Sequence, residues 1–173
     1  MQKSKLSIIE ANGNNFRQFG YLIQKPAGEP DIENQYVRLW HDIVPFNLFS
    51  DDQCIGYFET KKVPPVCTVL ESIIHNAEAY VSLGDSRLVL FVALPKNEKE
   101  PDESTVRAYL FQAGQSVIIK KGVWHWSPYP LDSDNPFLLM LGKSNLISTD
   151  KGLEGDPKEI VVVNLDKEYE AIF

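Results

Sequence analysis

The chain has 173 residues, 43% hydrophobic and 11% aromatic, which is enough for one substantial core and argues against disorder. Its formal net charge of −7 excludes the broad basic surface that non-specific binding to nucleic acid or an anionic membrane needs, but not a locally positive pocket for a small anion. No apolar run approaches the roughly 20 residues of a membrane span, so no membrane partner is expected.

Taken in chain order, the N-terminal MQKSKLSIIEANGNN has two lysines and an apolar stretch too short for a secretory signal. A cytoplasmic protein with a single domain over residues 1–173 is expected. A short helix is predicted from Gly13 to Gly20, with an asparagine cap ahead of Phe16 and Phe19. Trp40-His41-Asp42 reads as structural, with an acid–base dyad of His41 and Asp42 as the functional alternative. Cys54 and Cys67 lack a close-spaced metal pattern and read as buried free thiols.

From there short β-rich runs dominate: CTVLESII, RLVLFVALP, TVRAYLFQ, QSVIIK, FLLMLG and EIVVVNL. Turn signals separate them, among them LGDS, PKNEKEPDES, QAGQ, KKG and LDSDNP. PKNEKEPDES is the most charged and is expected to be exposed. This pattern predicts an all-β sandwich or barrel. Side-chain alternation puts Val69, Glu71, Ile73 and His75 on one strand face, and Glu78, Tyr80 and Ser82 on another. A polar group sharing a face with aliphatics suggests a half-polar interior, with Glu71 a reserve candidate for ligand or base.

The most informative stretch is GQSVIIKKGVWHWSPYPL. Gly114, five residues, Lys120, one residue, Gly122, two residues and His125 follow the spacing of the second cupin motif, with Lys120 in its proline place. IIHNAEAYVSLG resembles the first cupin motif, with His75 as its second histidine, Glu78 near its acidic ligand, and Ile73 where its first histidine would stand. A closer likeness is to the ureidoglycolate lyase family. It runs from NFRQFGYLI through Trp40-His41-Asp42 and the His75 segment, and is clearest over FVALPKNEKEPDESTVRAYLFQAGQSVIIKKGVWH. The chain departs from the family's tryptophan-histidine-histidine-proline, reading Trp124-His125-Trp126-Ser127-Pro128 instead.

The resemblance implies a cupin double-stranded β-helix, a jelly-roll barrel with a few short helices. It also implies a homodimer acting on a small anionic substrate, eliminating urea from ureidoglycolate to give glyoxylate as an amidine-lyase does. His75, His125 and Lys120 are the expected catalytic groups, with Arg107, Tyr80, Trp124 and Gln115 contacting substrate. His75, Glu78 and His125 would hold a divalent metal (Ni, Mn, Zn or Fe) if the reaction uses one. Without a metal, Lys120 and Arg107 would hold the substrate carboxylate. The alternatives are a non-catalytic cupin binding a small carboxylate or sugar acid, and a metal-dependent cupin isomerase or dioxygenase.

Overall fold

The computed structural model describes residues 2–49, 52–150 and 152–173. The strands are β1 (Gln2–Glu10), β2 (Gly20–Ile23), β3 (Ile32–Glu33), β4 (Arg38–Leu39), β5 (Gln53–Thr60) and β6 (Val66–Ile73). They continue as β7 (Glu78–Ser82), β8 (Leu88–Ala93), β9 (Pro95–Asn97), β10 (Glu100–Pro101), β11 (Arg107–Phe111) and β12 (Ser116–Ile119). The last six are β13 (Trp124–His125), β14 (Tyr129–Pro130), β15 (Asn135–Gly142), β16 (Leu146–Thr149), β17 (Gly152–Gly155) and β18 (Ile160–Ile172). Single turns of 3₁₀ helix are the only helical elements among the described residues. The all-β expectation is met.

Two large sheets organise the molecule. One has the order β11-β1-β18-β6-β13-β8-β14, and a further β8–β11 pairing closes six of its strands into a mixed barrel. The other has the order β2-β12-β7-β15-β5 and lies against one side of that barrel. β8 shows why the cores are two. Every residue of LVLFVA is buried, because each face meets a different layer. Leu88, Leu90 and Val92 join Tyr80, Phe111, Val117 and Phe137 in the core between the sheets. Val89, Phe91 and Ala93 join Leu70, Trp124, Leu165 and Tyr169 in the core enclosed by the ring.

Strand β1 was absent from the β-rich runs read in the sequence. Its lysines interrupt the apolar pattern, yet Lys3, Lys5 and Ser7 are exposed while Ser4, Leu6 and Ile8 face inward, a clean period of two. It pairs in parallel with both β11 and β18, so its register depends on contacts distant in sequence. The helix expected from Gly13 to Gly20 does not form. Asn12 accepts hydrogen bonds from the amides of Asn14 and Asn15, and the carbonyl of Phe16 accepts from Phe19 and Gly20, giving successive turns. Phe16 and Phe19 are both fully buried in the inter-sheet core, and burying both shapes the segment more than helix propensity does. PKNEKEPDES is mostly exposed, as expected, though part of it forms the β9–β10 hairpin.

Cys67 and Cys54 are unpaired thiols; Cys67 is buried and Cys54 half-buried. Burial pushes the Cys67 thiol up to about 12. No described helix is long and apolar enough to cross a membrane.

Candidate active site

The two sheets converge on one polar group between them. His125 on β13 stands opposite Glu71 on β6 and Val92 on β8, so the three share the face turned toward the five-stranded sheet. From that sheet Glu78 and Tyr80 on β7 point back, opposite Ile119 and Val117. Glu71, Glu78 and His125 bring their ligand atoms within 4.8 Å of one another. His125 is 1% exposed and Glu78 6%, while Glu71 is half-buried and is the member that reaches solvent.

A turn aims the histidine. Gly122 has φ +76°, a conformation that costs glycine little, and the Val123 amide donates to the Lys120 carbonyl across the turn. The Gly122 amide donates to the Ile73 carbonyl at 2.7 Å, pinning the turn to the end of β6. His125 then alternates with Trp124 and Trp126, which pack on the opposite side against the ring core.

The electrostatics follow from the contacts. His125 Nδ1 lies 3.0 Å from the Val123 carbonyl oxygen and Nε2 lies 2.8 Å from a Glu78 carboxylate oxygen. A neutral imidazole has a single N–H and cannot donate to both. Either a proton is shared along the Glu78–His125 contact or a cation takes its place. Burial opposes charge on His125, but the hydrogen bond to Glu78 and the fields of Glu78 and Glu71 outweigh it and raise its pKa. Burial also raises Glu71, partly offset by His125. The Tyr80 phenol, driven up by burial and by both carboxylates, engages Glu78 and Ser127 with its hydroxyl.

This donor set fits a divalent metal. Nδ1 is turned to a backbone carbonyl, the outer contact that leaves Nε2 free to ligate. Two carboxylates converge on the same side as Nε2, and their mutual repulsion falls when a cation sits among them. One imidazole and two carboxylates leave coordination positions open, as a catalytic site requires.

The remaining expected site residues lie elsewhere. β6 ends at Ile73, so its alternation stops short of His75, which is exposed and lines a surface cavity with Lys120 and Lys121. His75 is thus not in the group with Glu78 and His125; Glu71 occupies the place alternation shared between them. Lys120 donates its ammonium to the Arg17 carbonyl and lies 5.1 Å from the Tyr21 ring centroid. Arg107 is exposed and donates to the carbonyls of Ser104 and Val106. Gln115 bridges the Gln112 amide and the Gln24 side chain, at the edge of a cavity of about 10 Å³ beyond Tyr80. Trp124 is fully buried on the face away from His125 and cannot line the same site. His41 pairs with Asp31 at 2.9 Å rather than with Asp42, whose φ of +52° turns the chain away.

The comparisons with known proteins agree with the ancestry read from the motifs. The model of the family described as Ureidoglycolate lyase matches residues 3–166. The chain belongs to the ureidoglycolate lyase family. It is 26% identical over 138 residues to a ureidoglycolate lyase of Salmonella typhimurium, covering 78% of this chain and 85% of that one. It is 28% identical over 130 residues to a ureidoglycolate lyase of Burkholderia cepacia, covering 72% of each. A solved RmlC from Streptococcus suis, in complex with dTDP-D-xylose, aligns with a TM-score of 0.42 at 11% identity, over 57% of this chain and 48% of that one. The fold assignment rests on strand topology and family membership instead. Glu71, Glu78 and His125 are thus three ionisable side chains, two buried and one half-buried, that meet between the two sheets of this family member.

Proposed function

We propose that this chain is a ureidoglycolate lyase, releasing urea from ureidoglycolate and leaving glyoxylate, and that Glu71, Glu78 and His125 form its reactive centre. The observation that carries the reading is the meeting of those three side chains between the sheets of a ureidoglycolate lyase family chain. The reaction removes the proton of the substrate hydroxyl, turns that C–O bond into a carbonyl, and breaks the C–N bond. The electron pair leaves with the nitrogen, which takes up a proton. The site therefore needs one group to accept a proton, one to donate a proton, and a counter-charge for the substrate carboxylate.

Glu78 is the buried carboxylate suited to accept the hydroxyl proton, held in place by His125 and Tyr80. Without a metal, Glu71, raised by burial and only half-buried, is suited to hand a proton to the departing nitrogen; as a metal ligand it would be ionised, and water would supply that proton. Tyr80 stays protonated and orients Glu78. Glu71, Glu78 and His125 Nε2 would hold a divalent metal, which when bound polarises the substrate hydroxyl and balances the charge of its carboxylate. That charge matters, because two carboxylates alone repel an anionic substrate. The interior beyond Tyr80 is packed, with a cavity of about 10 Å³.

Glyoxylate release from racemic ureidoglycolate tests the reading, run on chelator-treated protein and again with divalent ions restored. Release that stops with chelator and returns with one of these ions is expected. Absence of glyoxylate above the uncatalysed background in every condition would overturn the assignment.

A further inference from the structure

A second feature lies outside the reactive centre. His75, Lys120 and Lys121 line one cavity of about 460 Å³ together with Asn47, Leu48 and Phe49. Among the described residues none that lines it is acidic, although the chain carries 24 Asp and Glu against 17 Lys and Arg. The larger groove of about 600 Å³ differs, since its Lys96 and Lys167 share it with Glu100, Asp102, Glu103 and Asp166. Only the first of the two concentrates one sign of charge.

The fold builds this cavity deliberately from distant segments. The bond from the Gly122 amide to the Ile73 carbonyl brings the lysine turn against the connection that carries His75. The Lys120 amide donates to the Phe19 carbonyl and its ammonium to the Arg17 carbonyl, so that cation is placed before any ligand arrives. An ammonium has three donors, and preplacement lowers the ordering cost of binding. Leu48 and Phe49, half-buried and packed on Ala77, Ala79 and Ile118, supply an apolar floor.

We infer that His75, Lys120 and Lys121 form an anion-binding site, separate from the Glu71–Glu78–His125 group, for a small ligand with a carboxylate or phosphate head and a short apolar or planar body. Lysine engages either head as a point charge, so the two head groups have to be told apart by experiment. None of Glu71, Glu78 and His125 lines the cavity, and occupancy of the site does not depend on the lyase reading.

The test titrates the full chain with sodium acetate and, separately, with inorganic phosphate at constant ionic strength, following backbone amide NMR shifts. Saturable shifts at His75, Lys121 and Gly122 are expected. The dissociation constant should rise about tenfold in the exposed double variant His75→Ala, Lys121→Glu, while Glu78→Gln leaves it unchanged. Saturation by acetate alone assigns a carboxylate ligand, and saturation by phosphate alone assigns a phosphate ligand. Saturation by neither would overturn the proposal, as would a constant that ignores the charge change or shifts confined to Glu71, Glu78 and His125.

Discussion

Glu78→Gln should lower glyoxylate release by about a thousandfold, within the range that a positioned acid or base contributes. The substitution keeps the volume of a side chain that is 6% exposed, so the fold should survive, with an unchanged circular dichroism spectrum. What it removes is charge. His125 Nε2 loses the carboxylate 2.8 Å away that stabilises its proton, and the hydroxyl proton of the substrate loses its acceptor. A metal held there would exchange one of two carboxylate donors for a weaker, uncharged amide oxygen. Turnover that survives with an unchanged kcat would mean that Glu78 only supports the fold, and the proposed roles would have to be abandoned.

Trp124→Ala should be the most damaging single change to stability, at about 3–5 kcal/mol by denaturant unfolding. That is a large fraction of the roughly 5–15 kcal/mol available to a folded chain. Trp124 is fully buried within the ring of strands, among Leu70, Phe91 and Leu165, where neighbours cannot collapse into the space it leaves. Its indole nitrogen is buried without a hydrogen-bond partner, so Trp124→Phe should cost much less. Trp126, half-buried at the edge of the same core, should cost less than Trp124 when cut to alanine. A Trp124→Ala protein of near-normal stability with a raised KM would restore the role in substrate contact that the motif implied.

The difference between the two tryptophans and the histidine between them shows how far alternation alone can go. In Trp124-His125-Trp126 it says that the histidine and the tryptophans face opposite ways, and they do. It cannot say which side holds the site, because both sides of this strand are buried. In VLESII it places Glu71 with Val69 and Ile73, a carboxylate in the middle of an apolar face, and that was the available sign of a buried polar group. Extending the same phase to His75 fails for a tertiary reason. The Ile73 carbonyl is taken by Gly122 and the Ile74 amide by Glu159, so the strand ends and the chain turns out to the surface.

The all-β class was legible because the apolar runs are short and separated by turn residues. A barrel was also expected, but the strand order that closes it was not. It depends on β1 lying in parallel between β11 and β18, pairings a hundred or more residues apart that no local signal encodes. Phe16 and Phe19 carry the spacing of a helical face, yet both reach the core through turns. The cavity of His75, Lys120 and Lys121 was likewise hidden, since the Gly122–Ile73 bond that assembles it joins two segments far apart in the chain.

Glu71 is where the geometry and the motif-based ligand set part, which makes it the residue to measure. Rates of glyoxylate release by the unaltered chain and by Glu71→Gln, at equal concentration of folded protein, test most directly the claim that Glu71, Glu78 and His125 form the reactive centre. The account predicts a loss of at least about a hundredfold in the variant. Equal rates would contradict it and move the chemistry away from the space between the two sheets.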